Sequence, residues 1–375
     1  MTPAAEQLLR TARELYLRGC RAYGAGSYRE AEADHAASAR MLRRLPGVPR
    51  AELAEALTAH AEAVHQLGDY RGALAIAHDA HAIVERVRGD AAKTARSKIL
   101  ASLGNLHRAL GDYRRAAPLL RRALAIAREL GPETRQAAIA MNNLGILYKY
   151  TGDFARAEAH YRRALRITLR ACGAHHPDVA GLYHNLGGLA YTRERYPAAE
   201  RWGRAAMELR TRLFGAGSVH TAADAAALAA SLDGLRRHAE AQQLYARVLA
   251  VFRKHYGARH YEIAVNLNNL GASLYAEGKL TAAAEHYRRA LRIKQLVLGE
   301  SHIDVALTAN NLGVLYMKQN RPRLAVKYVD QARTILVGQL GPRHPKARAV
   351  ASNWRKLVAA TQQRDAQPRR ARRAG

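Results

Sequence analysis

The sequence predicts an all-α repeat solenoid, and three observations support this prediction. Glycines recur along the chain with a step of 42 residues. The segments between them carry apolar residues at i, i+3, i+4 and i+7, which is the period of an amphipathic helix. No segment shows the strict alternation of a strand. Because one helix pair of this kind cannot bury its apolar face alone, neighbouring pairs must stack into a continuous core.

The repeat is clearest in the loops between units. One glycine series steps by 42 residues: Gly173, Gly215, Gly257, Gly299 and Gly341. Three residues after each glycine the sequence has His176, Ser218, His260, His302 and His344. Turn glycines extend the signal upstream at Gly26, Gly68, Gly111 and Gly152. These series predict two divergent repeats in residues 1–88, six clear repeats in 89–342, a capping helix in 343–364 and a basic disordered tail in 365–375.

Within a unit the pattern predicts two helices, shown best by residues 177–193 and 197–214. The first begins at Pro177, because proline favours the first helical position. The second ends at Gly215. In the last helix Arg355 stands where the preceding unit has Gly313, and the loss of the small residue is what a terminal cap should show.

One stretch of the chain resembles the tetratricopeptide repeat. The residues that match are Met141-Asn142-Asn143-Leu144-Gly145, Tyr148, Gly152-Asp153-Phe154, Ala157, Tyr161 and Ala164. The resemblance implies a right-handed superhelical solenoid of tandem helix-turn-helix repeats. The 42-residue unit with its Gly-x-x-His-Pro loop, at 173–177 and 341–345, resembles the kinesin light chain subtype. No heptad segment precedes the repeats, so we expect a free-standing scaffold rather than a motor adaptor.

The amino-acid composition limits the classes of function that the chain can have. Sixty Lys and Arg against 31 Asp and Glu give a formal net charge of +29, which attracts acidic proteins, nucleic acid or anionic lipid. The two cysteines form no Cys-x-x-Cys pair, which argues against a disulfide framework or a zinc module. The charged N-terminus has no signal-peptide core, and charges interrupt every apolar stretch. We therefore expect a cytoplasmic protein without a membrane span.

Asparagines recur directly before the Leu-Gly step of the first helix in a unit. They are Asn143, Asn185, Asn269, Asn311 and Asn353, with Ala227 as the one gap. The resemblance implies that this position faces a concave groove, where an amide can bind the backbone of an extended peptide. The alternative is that each asparagine bonds a neighbouring helix and fixes the stacking. The gap at Ala227 indicates either a groove divided into two sites or neutral drift.

Further candidate peptide-binding residues lie about one helical turn beyond the asparagines. They are Lys149, Tyr150, Tyr191, Tyr275 and Lys318. The alternative for each is a solvated side chain, or one stacked against its neighbour.

The sequence gives no indication of catalysis. It shows no Ser/His/Asp or Cys/His signature, no phosphate-binding glycine loop and no acidic pair. The loop histidines recur at every joint, which indicates a structural device rather than an active site. His78 and His81 share a helix face but lack a third ligand nearby in sequence. We expect no enzyme activity, no metal and no cofactor.

The favoured function is a protein-interaction scaffold that binds an extended, acidic peptide segment of a partner in its concave groove. One alternative is a nucleic-acid-binding protein that uses convex arginines and the tail. These arginines are Arg121, Arg122, Arg162, Arg163, Arg288 and Arg289. Against this alternative, most tyrosines occupy repeat-core positions, where they cannot stack on bases. A further alternative is a regulatory sensor acting on an effector on another chain.

Overall fold

The computed structural model describes residues 2–85, 87–342 and 345–371, and in these ranges the chain forms helices and no strands. The predicted all-α repeat solenoid is confirmed. In chain order the helices are α1 (Pro3–Ala25), α2 (Tyr28–Arg44), α3 (Arg50–Gln66), α4 (Tyr70–Val84), α5 (Asp90–Ala109), α6 (Tyr113–Glu129), α7 (Arg135–Thr151), α8 (Phe154–Cys172), α9 (Pro177–Thr192), α10 (Tyr196–Phe214), α11 (Val219–Gly234), α12 (His238–Tyr256), α13 (Tyr261–Ala276), α14 (Leu280–Leu298), α15 (Ile303–Lys318), α16 (Pro322–Leu340) and α17 (Pro345–Ala371).

The chain divides into two compact units, residues 1–231 and 232–375, and the division falls inside α11. In the first unit each odd-numbered helix from α1 to α9 packs against the helix that follows it. In the second unit α13 pairs with α14 and α15 with α16, and α17 packs on α16. Within the first unit successive odd-numbered helices from α1 to α9 also contact one another, and within the second unit α13 contacts α15. We call the odd-numbered helices the inner helices.

The 42-residue step is visible in the helix boundaries. From α7 onward the inner helices begin at Arg135, Pro177, Val219, Tyr261, Ile303 and Pro345. Within pairs the turn requires a left-handed residue, which glycine supplies at Gly152 (φ 85°) and Gly278 (φ 79°). Where the sequence has another residue, the same turn forces Glu194, Arg236 and Asn320 to φ values of 57–63°.

The core is built from alanine, leucine and a few tyrosines. Ala123, Ala127 and Ala164 are fully buried, and Tyr161 is 0% exposed. At the Leu-Gly step, Gly145 lies against the Tyr161 ring so closely that an added Cβ would be 2.6 Å from it. The recurring glycine is therefore needed for the close approach of the two helices of a pair.

An unexpected contact joins distant parts of the first unit. The α1–α2 turn reaches the start of α11, where a Cβ on Gly26 would be 2.3 Å from Val219. Beside it the Tyr28 and His220 rings meet edge-on at 6.3 Å. His220 also hydrogen-bonds the backbone of Tyr23 and Gly24 at the end of α1. The first repeat of this unit is thus held at the turn as well as by its neighbour.

The last helix differs from its prediction in length. It continues to Ala371, so residues 365–371, predicted as part of a disordered tail, are helical. Residues 365–371 contain two Ala, two Arg and one Gln, which favour a helix, together with Pro368, which disfavours one in a helix interior. Arg355 is exposed on it, in keeping with a position that meets no further helix. Arg343, His344 and residues 372–375 lie outside the described residues.

Candidate peptide-binding surface

An open cavity of about 340 Å³ lies mainly between the inner helices of the first unit. Its lining residues come from α1, α2, α3, α5 and α7: Tyr16, Cys20, Tyr23, His35, Glu55, Thr58, Ala59, Glu62, Lys98, Ala101, Ser102, Asn105, Arg135, Gln136, Ile139 and Asn143. We call this the inner cavity. A second cavity of about 570 Å³ shares Tyr16 and Glu55 with it and adds Arg13 and Glu52. The first predicted asparagine, Asn143, therefore lies in the wall of a concave site.

The side chains of neighbouring inner helices meet in a regular register. Hydrogen bonds join residues that are 43 positions apart in several pairs: Tyr23 with Gln66, Glu55 with Lys98, Arg135 with Asp178, Asn142 with Asn185, Tyr261 with Asp304, and Asn268 with Asn311. The repeat places equivalent residues 42 apart, so contacts between adjacent inner helices are offset by one position. This register identifies which inner-surface residues face each other.

Two of the predicted asparagines bond neighbouring helices. The Asn185 amide donates to Asn142 Oδ1 at 2.8 Å, and the Asn311 amide donates to Asn268 Oδ1 at 3.2 Å. Asn268 in turn donates to Asn269 Oδ1 at 3.5 Å. These bonds have the form expected from the stacking alternative. Each bonded amide keeps a second N–H and its Oδ1 for a ligand, so the bonds do not by themselves decide between stacking and peptide binding.

Accessibility separates the five asparagines. The four from α7 to α15 are partly buried, whereas Asn353 on α17 is exposed. At the gap, the Ala227 carbonyl accepts a hydrogen bond from Ser231 within α11. The same helix carries Asp224, which is fully buried between His184 (2.7 Å) and Arg210 (3.0 Å). Where the asparagine is missing, a buried ion pair joins three helices instead.

A cationic and aromatic cluster lies at the far end of α7. Arg108 and Lys149 both approach the Tyr150 ring, each at 5.2 Å from its centroid. Tyr150 is 54% exposed and stacks on Tyr113 at 6.4 Å. Burial, followed by the charge of Arg108, lowers the pKa of Lys149 to about 8. An anionic group bound here would favour the charged form of Lys149 and so raise its pKa again.

A similar pairing occurs in the second unit. The Lys318 Nζ atom lies 4.7 Å from the centre of the Tyr275 ring, and the two residues are 43 positions apart. Tyr191, in the first unit, meets Tyr196 edge-on at 5.7 Å and is 42% exposed. The structure thus brings Lys149 to Tyr150 and Lys318 to Tyr275, while Tyr191 contacts the partner helix of its own pair.

The loop histidines are helix caps. The Nδ1 atoms of His176, His260 and His302 accept hydrogen bonds from the backbone N–H two residues on, at 3.1–3.3 Å. Ser218 also caps α11. Its hydroxyl oxygen accepts a hydrogen bond from the backbone N–H of Thr221, three residues on, at 3.1 Å. His78 meets His107 edge-on at 6.3 Å. Within the described ranges, no group of three or more His, Cys, Asp or Glu side chains could hold a metal ion.

The even-numbered helices carry the arginines of the nucleic-acid alternative. All six are exposed on α6, α8 and α14. Three of them are already engaged: Arg162 pairs with Glu158 at 2.9 Å, Arg163 pairs with Glu133 at 3.5 Å, and Arg121 donates to the Ala117 carbonyl at 3.2 Å. The tyrosines Tyr161, Tyr245, Tyr287 and Tyr316 are buried, as their repeat-core positions predict. In the described part of the chain, no helix has the length and apolarity needed to cross a membrane.

Sequence inspection missed the acidic side of the inner cavity. Glu55 and Glu62 are seven residues apart and so share one face of α3. That spacing is visible in the sequence, but the whole-chain charge of +29 hides it. Asn105 was also missed, because it lies outside the asparagine register.

Comparison with known proteins identifies the repeat. The tetratricopeptide repeat profile matches residues 52–129, 94–170, 178–254 and 262–337, and a second profile of the same description matches 142–211. No curated protein is significantly similar in sequence to the chain.

Solved structures share the architecture. BtubC (BKLC) from P. vanneervenii is 26% identical, with a TM-score of 0.50 over 62% of this chain and 94% of that chain. The Rap protein complexed with competence and sporulation factor is 14% identical, with a TM-score of 0.60 over 76% of this chain and 77% of that one. The APC/C hetero-tetramer Cut9–Hcn1 is 14% identical, with a TM-score of 0.65 over 92% of this chain and 55% of that one. The last two likenesses show the fold alone.

The fold serves generally as a non-enzymatic scaffold for protein interaction, and the profile matches span most of the described repeats. The chain belongs to the tetratricopeptide repeat family.

Proposed function

We propose that this chain is a cytoplasmic, non-enzymatic scaffold that binds an extended, acidic peptide segment of a partner protein on its inner surface. The proposal rests on partly buried asparagine amides that lie on the same inner helices as lysines in contact with tyrosine rings. Asn143 lines the inner cavity, and Lys149 lies six residues further along the same helix, or about 9 Å. In the second unit Asn311 and Lys318 also share a helix, α15, with a separation of seven residues.

The chemistry of these groups suits a peptide. An amide supplies both donors and an acceptor, which match the backbone of an extended segment. A lysine beside a tyrosine ring supplies a charge for an acidic side chain on a surface that also contacts its aliphatic part. Each net hydrogen bond contributes about 1 kcal/mol, so amides alone give weak binding and the cations must add to it. The Rap protein, which has the same fold, was solved with a bound factor.

The test uses heptapeptides displayed at random and selected on the purified chain. We expect selected peptides to be enriched in Asp and Glu. The triple variant Asn143→Ala, Asn269→Ala and Asn311→Ala should weaken their binding about tenfold or more, in line with the loss of two to three hydrogen bonds. A matched control replaces exposed glutamines on even-numbered helices: Gln243→Ala on α12 and Gln339→Ala on α16.

Two further measurements keep the test decisive. The triple Asn→Asp variant preserves side-chain size but repels an acidic ligand, so it should lose binding even if the alanine variant unfolds. Circular dichroism melting checks that each variant still unfolds cooperatively. Unchanged binding in both asparagine variants would overturn the proposal. Recovery of nucleic acid instead, with a steep linear fall of log affinity against log salt concentration, would favour the convex arginines.

A further inference from the structure

The inner cavity has one charge without a partner. Four charged side chains line it. Lys98 is paired with Glu55, and the Arg135 guanidinium donates to Asp178 at 2.7 Å. Glu62 is exposed and makes no ion pair or hydrogen bond with the described residues, although the charge of Lys98 favours its ionised form. Its carboxylate is therefore accessible to a ligand in this cavity.

A second acceptor lies beside Glu62. Asn105 is 43 residues further along the chain, which is the separation at which neighbouring inner helices meet. Its Oδ1 atom is buried and has no hydrogen-bond partner. Both residues line the cavity, so two acceptor groups belong to facing positions of α3 and α5. Of the two, the Asn105 oxygen is buried, and a buried acceptor usually has a hydrogen-bond partner, which a ligand or a water molecule supplies.

A third acceptor completes the set. His35 is 1% exposed and lines the cavity, and its Nδ1 atom has no partner. Burial lowers the pKa of His35 to about 4, so the imidazole is neutral, and in the tautomer protonated at Nε2 its Nδ1 accepts a hydrogen bond. The rings of Tyr16 and Tyr23 also line the cavity, and aromatic faces attract cations.

These groups select a donor with positive charge. Lys98 is paired with Glu55 and Arg135 with Asp178, so Glu62 is the lining charge that is left to a ligand. An ammonium or guanidinium can pair with it, donate to the neutral acceptors and lie against the aromatic rings. A cavity of about 340 Å³ is at the lower end of the range for small organic ligands, and it is large for a bare metal ion. Asn143 lines the same cavity, so a peptide backbone held there could direct a side chain toward Glu62.

We propose that the inner cavity binds a cationic side chain, that of lysine or arginine, in the segment that the inner surface holds. This inference rests on the proposed function and adds to it, because it requires one basic residue within an otherwise acidic segment. Glu62 is the counter-ion, Asn105 and His35 are the neutral acceptors, and the tyrosine rings form the wall.

The experiment measures binding of capped single residues to the full chain by ligand-observed saturation-transfer NMR. The probes are the Nα-acetyl N-methylamides of lysine, arginine, norleucine and glutamate. Norleucine matches lysine without its charge. We expect lysine or arginine to bind, norleucine to bind about tenfold more weakly, and Glu62→Gln to weaken lysine binding about tenfold, as expected for the loss of a charged partner.

The control variant is Glu285→Gln, which removes an exposed carboxylate from α14 in the second unit and should change nothing. A second variant, Ala59→Lys, places a tethered ammonium in the cavity wall and should block the lysine probe. Equal binding of norleucine and lysine, or unchanged lysine binding in Glu62→Gln, would overturn the cation site.

The outcomes separate this inference from the proposed function. If displayed peptides bind through the asparagines while the lysine probe does not bind, the scaffold function stands and the cation site is wrong. If the lysine probe binds but no displayed peptide is selected, the cavity takes free amines and the peptide-side-chain source is wrong. Preference for a peptide with a free N-terminus over its acetylated form would assign the cation to the terminus rather than to a side chain, again against the proposal.

Discussion

The inner cavity of the first unit and the inner face of α15 in the second unit are made by the same repeat but differ in chemistry. The cavity combines Glu62 with neutral acceptors and tyrosine rings. On α15, Leu307, Val314 and Met317 are 36–40% exposed, near Asn311 and Lys318. The repeat therefore conserves the backbone and the contact register, while each unit presents its own ligand chemistry. A net charge of +29 describes the whole chain and predicts neither surface.

The largest expected difference between the two surfaces is the dependence of ligand affinity on pH, measured by titration. The Glu62 side chain is accessible, but the protein around its carboxyl group desolvates it and raises its pKa to about 7, against an ordinary value of 4.5, while Lys98 opposes the shift. Between pH 6 and pH 8 the ionised fraction of such a carboxyl rises about tenfold, so affinity for capped lysine should rise by about the same factor. The Glu62→Gln variant should show a flat profile. A flat profile in the unmodified chain would remove Glu62 from the site.

Other titrating groups near Glu62 do not account for such a change. The titratable and charged side chains that face it in the cavity are Tyr16, Cys20 and Tyr23 from α1, His35 from α2, Glu55 from α3, Lys98 from α5 and Arg135 from α7. Burial keeps the pKa of His35 at about 4 and raises the pKa of the Cys20 thiol, so neither changes charge between pH 6 and pH 8.

Glu62 should also make the stability of the protein depend on pH, which can be measured without ligand. The folded state holds the Glu62 proton to a higher pH than the unfolded state, so the free energy of unfolding falls as pH rises from 4.5 through 7. The Glu62→Gln variant lacks this loss. Its melting temperature relative to the unmodified chain should therefore rise between pH 5 and pH 8, and a constant difference would contradict the raised pKa.

The hydrogen bonds between asparagines of neighbouring inner helices occur in both units, and their contribution to stability can be tested. Asn185→Ala and Asn311→Ala each remove one amide that bonds the preceding inner helix. We expect each to lower the free energy of unfolding by about 1 kcal/mol, measured by urea denaturation. Asn143→Ala is the comparison, because its side chain lines the cavity. If Asn185→Ala and Asn311→Ala leave stability unchanged but weaken peptide binding, these amides serve the ligand rather than the stacking.

The smallest effect concerns the turns. Glu194 in the first unit and Arg236 in the second hold left-handed backbone conformations, at φ 57° and 63°. Glu194→Gly and Arg236→Gly should each stabilise the protein by about 0.5–1 kcal/mol, because glycine adopts this conformation without steric cost. Thermal melting checks this, with Gly152→Ala as the reverse change. A loss of stability in the glycine variants would mean that side-chain contacts outweigh the strain.

Much of the fold could be predicted from the sequence, because the 42-residue step is a local signal. The start of α9 at Pro177 and the end of α8 before Gly173 follow from helix-capping chemistry alone. The cavity could not be predicted in this way. It depends on which residues of successive inner helices face each other, and the offset of one position, 43 rather than 42, is set by packing. Glu62 and Asn105 become neighbours only once that register is known.

The contact between Gly26 and Val219 affects how the first unit unfolds. A linear array of repeats frays from its ends, because a terminal repeat has a neighbour on one side only. In this unit the first repeat is also held where its turn meets the start of α11, so its opening must break contacts at two places. Amide hydrogen exchange in α1 and α2 should then resemble that of the central helices, and the protected region should include the N-terminal repeat rather than begin after it.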